Sequence, residues 1–389
     1  MIVRRALIAV LLAALFLAPA AGRAAAGAAS ATDYEAELAR LQKDIDDTQA
    51  TALNAPVDFE KALRYVFAVY RKASLTSDFK DFKAAETVID RALEQIGPLE
   101  DLYLLKANFD FKLHRLAATA QDLEKVPDKE DEPGVKALRA DLALQEGRYD
   151  EARKGYESAL RKKKTWDNLA RLAYLKSRTG DAAGADKLYL AAEDDITAKE
   201  MRSYAWVDLQ RGLLDFDAHR YEKALAHYRT ADRAYSGYWL IEEHIAEVLD
   251  LTGQTKDAIA LYEKIIGTTH NPEYLNALGR IRERSDPDAA QKLYAEADRR
   301  NEERFALYPE AAIGHLIRDT LVRRTPRPDL LELAQRNYDL RPNGESKLLL
   351  ARAYLKAERR AEAKKLLDEI ASTPWTTPEL SLVRRQVGG

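Results

Sequence analysis

The sequence predicts an all-α fold built from repeated pairs of helices. Three aligned columns of residues indicate the repeat: an alanine, a tyrosine four residues later, and a small or apolar residue three residues after that. Successive copies are 33, 39, 34 and 32 residues apart in the first column, which is Ala152, Ala185, Ala224, Ala258 and Ala290. A period in the mid-thirties is typical of a helical solenoid, in which each unit packs on the next.

The spacing of the columns places all three on one face of a helix, because positions i, i+4 and i+7 are neighbours there. A small residue allows a second helix to approach closely, and a tyrosine ring fills the space beside it. The second column is Tyr156, Tyr189, Tyr228, Tyr262 and Tyr294. The third column is Ala159, Ala192, Ala231, Ile265 and Ala297.

In each copy another helix precedes the one that contains the three columns. This preceding helix has a small residue of its own: Ala140, Ala173, Gly212, Ala246 and Gly279. The link between the two helices contains Gly147, Gly180 and Gly253, which suit a left-handed cap at a helix C-terminus. His219 and Ser285 stand at this place in the other two copies, and His219 is expected only to help cap its helix. The repeating unit is therefore predicted to be two antiparallel helices.

This pattern resembles the tetratricopeptide repeat (TPR), a helix-turn-helix family of about 34 residues per unit. Five copies agree in three columns, and Leu278-Gly279 matches the family's Leu-Gly pair. The resemblance is clear over 133–300 and weaker over 60–371. It implies an all-α, right-handed superhelical solenoid of eight or nine helix pairs.

The chain divides into five predicted segments. They are a secretory signal peptide (1–26), an N-terminal helix with degenerate pairs (33–130), the regular repeats (133–304), C-terminal pairs (305–371) and a tail (372–389).

The first segment has the layout of a signal peptide: Arg4 and Arg5, then an apolar run, then small residues that fit cleavage after Ala20 or Ala26. An uncleaved anchor is the alternative, although the apolar run is shorter than a membrane-spanning helix needs. The chain has no cysteine, which excludes disulfides, thiolate metal ligands and a lipid anchor on an N-terminal cysteine. We expect an exported protein of the periplasm.

The charge of the chain is uneven. The formal net charge is -3, and removal of the leader with its three arginines makes it about -6. Residues 316–389 contain 15 Lys or Arg against 10 Asp or Glu, so this end could lie against anionic lipid, an acidic partner or a second copy, or could simply have scattered surface charges. The sequence has no cluster of positive charge of the kind that would indicate nucleic-acid binding.

No catalytic motif is present, so neither an enzyme nor a cofactor is predicted. The strongest candidate for a chemical site is the cluster Glu243, His244, Glu247 and Asp250, within one predicted helix. It fits a solvated acidic face, an acidic patch that binds a partner, or a metal or acid–base site.

The TPR resemblance implies that the first helices of successive pairs line a concave groove that holds a peptide or protein. The groove positions are Asn108, Phe111, Asp141, Leu144, Tyr174, Ser177, Trp206, Leu209, Leu213, Phe216, Glu243, Glu247, Asp250, Asn276 and Arg280. The stripe from Trp206 to Phe216 would mark a binding site if it faces solvent, whereas the alternative is that part of it packs on a neighbouring helix. Some TPR proteins bind a C-terminal carboxylate through Lys and Asn; the matching positions here are acidic or apolar, so this activity is not expected.

The resulting prediction is a non-enzymatic periplasmic scaffold that binds a protein or peptide, without a membrane span. Two other functions stay open: a component of envelope polysaccharide export or assembly, and handling of a metal or small ligand. Self-association is also left open.

Overall fold

The computed structural model describes residues 31–54, 57–323 and 327–388, so the predicted signal peptide lies outside the described residues. Within these ranges the chain forms 20 α-helices and no strand, which confirms the all-α prediction. The helices are α1 (Asp33–Gln49), α2 (Phe59–Thr76), α3 (Phe79–Ile96), α4 (Glu100–Lys112), α5 (Leu116–Leu123), α6 (Pro133–Gln145), α7 (Tyr149–Lys162), α8 (Trp166–Arg178), α9 (Ala182–Asp195), α10 (Met201–Asp217), α11 (Tyr221–Ala234), α12 (Trp239–Leu251), α13 (Thr255–Thr268), α14 (Pro272–Arg282), α15 (Pro287–Leu307), α16 (Pro309–Val322), α17 (Leu330–Leu340), α18 (Gly344–Lys356), α19 (Arg360–Ala371) and α20 (Pro378–Gly388).

Helices α2 to α19 form nine consecutive pairs in the described part of the chain, with α1 before them and α20 after them. The predicted TPR-like helix pairs are therefore confirmed, and so is their number. The segment 305–371, for which the sequence predicts C-terminal pairs, contains α16 with α17 and α18 with α19. Helix α20 lies in the segment for which the sequence predicts only a tail, and its Leu380 and Val383 are buried together with Trp375.

The alanine and tyrosine columns lie in the second helices and are buried there, except that Tyr294 in the last copy is half-buried. Ala152, Ala185, Ala224 and Ala258 are each 0% exposed. The small residue of the first helix faces the tyrosine of the second: a Cβ atom on Gly212 would lie 2.4 Å from Cε1 of Tyr228. Close contact between the two helices therefore requires the small residue, as the sequence predicts.

The turns within pairs also follow the prediction. Gly147, Gly180 and Gly253 have φ of 75°, 86° and 86°, in the left-handed region. His219 has φ of 57° at the equivalent place. It therefore occupies the cap position expected from the sequence, in a conformation that glycine adopts more readily.

The two helices of a pair are buried to different extents. In α12 ten of 13 residues are buried, and in α14 nine of 11. In α11 four of 14 are buried, and in α13 three of 14. The first helices are thus covered on several faces, whereas the second helices bury one stripe and expose the rest.

The chain divides into two compact units, each made of two segments that are distant in sequence. Unit 1 contains Asp110–Asp194 and Tyr308–Gly389, and unit 2 contains the described residues up to Phe109 together with Asp195–Leu307. No helix in the described residues is long and apolar enough to span a membrane.

The two segments of each unit are joined by specific contacts. In unit 1, Gly344 N donates to the Tyr149 hydroxyl at 2.7 Å, across 195 residues. In unit 2, the Trp239 indole nitrogen donates to the Leu75 carbonyl oxygen at 3.3 Å, across 164 residues. A simple solenoid has contacts only between neighbouring repeats, so these long-range contacts are a feature that the repeat pattern does not predict.

Candidate partner-binding surface

The predicted groove residues of unit 2 fall into two register columns on α10, α12 and α14. The inner column is Leu209, Glu243 and Asn276, which are 0%, 5% and 1% exposed. The outer column is Leu213, Glu247 and Arg280, which are half-buried. In both columns successive residues are 34 and then 33 positions apart in the sequence. Each column therefore takes one equivalent position from three successive repeats, and the inner position is always more buried than the outer one.

The apolar stripe on α10 is divided by this burial. Trp206 is 8% exposed and Leu209 is fully buried, whereas Leu213 and Phe216 are half-buried. The Phe216 ring contacts the edge of Tyr221, with 5.4 Å between centroids. Of the two alternatives, packing inside the fold therefore applies to Trp206 and Leu209, and these two residues are not accessible to a partner.

The acidic cluster on α12 is more buried than a solvated face would be. Glu243 and His244 are 5% and 7% exposed, so that interpretation is wrong for both. The His244 Nδ1 atom lies 3.1 Å from an oxygen of Glu243 and 3.9 Å from one of Glu247. One ligand atom from each of these three residues lies within 4.8 Å of the others, and carboxylate and imidazole groups are common metal ligands.

Asp250, the fourth member of the predicted cluster, has structural partners. Its carboxylate accepts a hydrogen bond from Thr255 Oγ1 at 3.1 Å and forms an ion pair with Arg284. Thr255 begins α13, so Asp250 joins the end of one helix to the beginning of the next. Asp250 is therefore engaged by Thr255 and Arg284, and the group of close ligand atoms consists of Glu243, His244 and Glu247.

Asp141 in unit 1 is also structural in its contacts. It is 6% exposed, and its two oxygens accept from the Tyr156 hydroxyl at 2.7 Å and from Arg171 Nε at 2.9 Å. Burial, and then the charge of Asp141, raise the pKa of the Tyr156 phenol well above its ordinary value. Because both oxygens of Asp141 are engaged and buried, this residue is not accessible to a partner, contrary to the groove expectation.

The other predicted positions differ in access. Phe111 and Leu144 are buried, whereas Asn108, Tyr174 and Ser177 are half-buried. The Asn108 amide donates to the Leu104 carbonyl oxygen of its own helix at 2.7 Å. The Arg178 guanidinium lies 5.1 Å from the centre of the Tyr174 ring. Apart from the correction for the buried residues, the binding role of these positions stays a prediction.

A buried basic group in unit 1 was not anticipated from the sequence. Arg341 is 8% exposed, and burial lowers its pKa to about 10; Glu345 opposes this shift and Arg318 adds to it. The pKa of His114 lies well below its ordinary value, mainly because the side chain is buried and also because Arg341 and His315 are close to it. Part of the positive charge of the C-terminal segment is therefore internal, and the alternatives given for the rest of that charge stay predictions. The Arg341 side chain packs closely against Gly314, where a Cβ atom would lie 2.8 Å from Arg341 Nη2.

Comparison with known proteins gives similarity in fold alone. No protein-family model matches the chain, and no curated protein matches it. Among solved structures, MamA is 19% identical over 43% of this chain and 96% of its own, with a TM-score of 0.35. The Cut9–Hcn1 hetero-tetramer of the APC/C is 14% identical over 91% of this chain and 62% of its own, with a TM-score of 0.48.

The human IFIT1 dimer with PPP-AAAA is 15% identical over 85% of this chain and 78% of its own, with a TM-score of 0.46. These values are too low to transfer a partner from any of the three proteins. The TPR-like character of this chain is instead visible in its own nine helix pairs and their packed alanine and tyrosine columns.

Proposed function

We propose that this chain is a non-enzymatic periplasmic scaffold that binds a protein or peptide through the first helices of unit 2. The supporting observation is the outer column on α10, α12 and α14, where Leu213, Glu247 and Arg280 are each half-buried at equivalent positions. An apolar, an acidic and a basic side chain thus follow one another from repeat to repeat.

Such a column suits recognition of an extended partner segment. The apolar position provides desolvated contact area, and the two charged positions favour a partner with opposite charges in matching order. Helices fixed by packing have little freedom to lose on binding, which lowers the entropic cost of association. The buried inner column would support these side chains from below rather than contact the partner.

The experiment is affinity capture from the envelope fraction with quantification by mass spectrometry. Leu213→Lys and Arg280→Glu are the test variants. Leu190→Lys on α9 and Arg229→Glu on α11 are the matched controls, since both residues are exposed on second helices. We expect a partner that is retained by the wild type and the controls and reduced at least about tenfold in both test variants. Equal recovery with all five proteins would reject the surface.

The periplasmic location is supported by the leader sequence and needs its own test. We expect the mature protein in the periplasmic fraction, with an N-terminus after Ala20 or Ala26. N-terminal sequencing of protein purified from that fraction tests this. Full-length protein in the cytoplasm would contradict the proposed location without affecting the binding surface.

A second candidate function, handling of a divalent metal ion, is favoured by the distances among Glu243, His244 and Glu247. We expect wild-type protein equilibrated with Zn²⁺ or Mn²⁺ to retain one ion per chain after dialysis, and Glu247→Gln to lose it. Glu222→Gln is the control, because Glu222 is exposed on α11. Elemental analysis decides the question, and wild type without bound metal rejects the function. A role in envelope polysaccharide export stays a prediction, which gene neighbourhood would test.

A further inference from the structure

Unit 2 contains a cavity of about 170 Å³. It lies between the α2–α3 turn, the first residue of α12, the α13–α14 turn and the C-terminal half of α15. A cavity of about 150 Å³ holds one benzene molecule, so there is room here for a six-membered ring with a small substituent. None of its lining residues belongs to the partner surface proposed above, and the inference is independent of that proposal.

One side of the cavity is aromatic and fixed in position. Trp239 is 3% exposed, and the hydrogen bond from its indole nitrogen to the Leu75 carbonyl oxygen holds the ring. Phe79, the first residue of α3, is 7% exposed. A flat apolar body can pack against rings held in this way.

A second part of the lining is cationic. Arg300 and Arg304 lie one turn apart on α15, and their side chains are only 18% and 14% exposed. Arg300 donates to the Thr269 carbonyl oxygen at 3.4 Å. The Arg304 guanidinium lies 4.2 Å from the centre of the Phe79 ring and donates to Asn271 Oδ1 at 3.0 Å. Arg304 is therefore held against the aromatic side, and Arg300 is held at the Thr269 backbone.

The lining itself contains more cationic than acidic side chains. Its charged residues are four cationic ones and two carboxylates: Lys80, Arg299, Arg300, Arg304, Asp78 and Glu303. Two carboxylates outside the lining balance this excess: Glu296 pairs with Arg299 and Arg300, and Glu273 lies 3.7 Å from Arg304. The case for an anion therefore depends on directed hydrogen bonds rather than on net charge. A guanidinium has five N–H donors, and the bonds of Arg300 to Glu296 and Thr269 use two of them. Arginine in such a site binds carboxylate or phosphate oxygens with directed hydrogen bonds.

A buried hydroxyl group gives a second, independent indication of a ligand. Thr269 lines the cavity and is 9% exposed, and its Oγ1 atom has no hydrogen-bond partner among the described residues. Buried hydroxyl groups almost always have a partner, because their desolvation is otherwise uncompensated. An oxygen of a ligand bound next to Arg300 would provide one.

We propose that this cavity binds a small aromatic acid. Its ring would lie against Trp239 and Phe79, and its carboxylate or phosphate oxygens would accept hydrogen bonds from Arg300, Arg304 and the Thr269 hydroxyl. An aromatic carboxylate and an aromatic phosphate share the features that the cavity would recognise, which are an oxyanion and a flat apolar body of about one ring.

The test is isothermal titration of the full chain with three probes: benzoate, phenyl phosphate and benzamide. Benzamide has nearly the shape of benzoate without its charge. We expect one or both anions to bind with 1:1 stoichiometry and benzamide to bind at least about tenfold more weakly, since it lacks the charge-assisted hydrogen bonds. The anion that binds more tightly shows whether the site prefers a carboxylate or a phosphate.

Two variants connect binding to the cavity. Thr269→Val keeps the shape of the side chain and removes the hydroxyl, so we expect weaker anion binding with unchanged or raised thermal stability. Arg304→Gln should weaken binding at least about tenfold, whereas the matched control Arg229→Gln, exposed on α11, should leave it unchanged.

Three results would overturn the proposal. One is the absence of binding by either anion at concentrations up to about 10 mM. Another is equal affinity for benzamide and benzoate. The last is an unchanged dissociation constant in both Thr269→Val and Arg304→Gln. If Arg304→Gln fails to fold, the isosteric Thr269→Val variant and the comparison of probes on the wild type still decide the outcome.

Discussion

Asp141 and Arg171 form a buried ion pair between the first helices of two successive repeats, with 2.9 Å between the carboxylate oxygen and Nε. Their side chains are 8% and 4% exposed. Tyr156 from the second helix of the first pair donates to the other oxygen of Asp141. Three helices of unit 1, α6, α7 and α8, are thus joined at one carboxylate.

Removal of the arginine from this pair should strongly destabilise the protein. Arg171→Met leaves the Asp141 carboxylate buried without its charged partner, and we expect a loss of about 3–5 kcal/mol in the free energy of unfolding. Urea denaturation measures it. Arg153→Met is the control, since the ion pairs of Arg153 on α7 are exposed and should contribute less than about 1 kcal/mol. The double variant Asp141→Leu with Arg171→Met should be more stable than Arg171→Met alone; if it is not, the buried charge is not the cause.

Gly212 should not tolerate even one added methyl group. Its Cβ atom would lie 2.4 Å from Cε1 of Tyr228, so Gly212→Ala should destabilise by about 1–3 kcal/mol in spite of the better helix propensity of alanine. Gly267 in α13 has no atom near the equivalent position, and Gly267→Ala should stabilise by about 0.5 kcal/mol. Thermal denaturation compares the two. A stabilising Gly212→Ala would contradict the close contact of α10 with α11.

The long-range contact in unit 1 depends on the Tyr149 hydroxyl. Tyr149→Phe leaves the Gly344 N–H buried without its acceptor, and we expect a loss of about 1–3 kcal/mol in denaturant unfolding. Tyr354→Phe makes the same chemical change at a half-buried residue of α18 and should alter stability by no more than about 0.5 kcal/mol. Hydrogen exchange should show faster exchange at Gly344 in the first variant only. Unchanged exchange there would argue against the contact.

The pair of His227 and Asp208 should make stability depend on pH. The hydrogen bond to Asp208, 2.5 Å long, raises the pKa of His227, although burial opposes the shift. A histidine with a raised pKa in the folded state contributes stability that is fully present below its unfolded pKa of about 6.5 and is lost as pH rises through the folded value. The stability difference between wild type and His227→Gln should therefore be larger at about pH 6 than at about pH 9. Urea midpoints measured at both values test this, and a difference independent of pH would contradict the charged pair.

The amino-acid sequence by itself determined the local part of this structure. The alanine and tyrosine columns act within one helix pair, and their effect depends only on helix periodicity and on close contact between adjacent helices. The five regular pairs, the glycine turns and the cap at His219 were therefore predictable, whereas the weaker flanking copies allowed only a count of eight or nine pairs. The same argument placed Leu209, Leu213, Glu243 and Glu247 on first helices correctly, because helix register follows directly from the spacing.

Only the tertiary structure decided which of these first-helix residues are accessible. A repeat pattern specifies contacts with neighbouring repeats and has no information on segments nearly 200 residues away, such as those joined at Tyr149 and Gly344. Such contacts depend on how small rotations between repeats add up along the chain, which no local pattern encodes. In unit 2, long-range contacts of the same kind bring α2, α3 and α15 together around the cavity. The comparison with a TPR groove predicts only an exposed inner face.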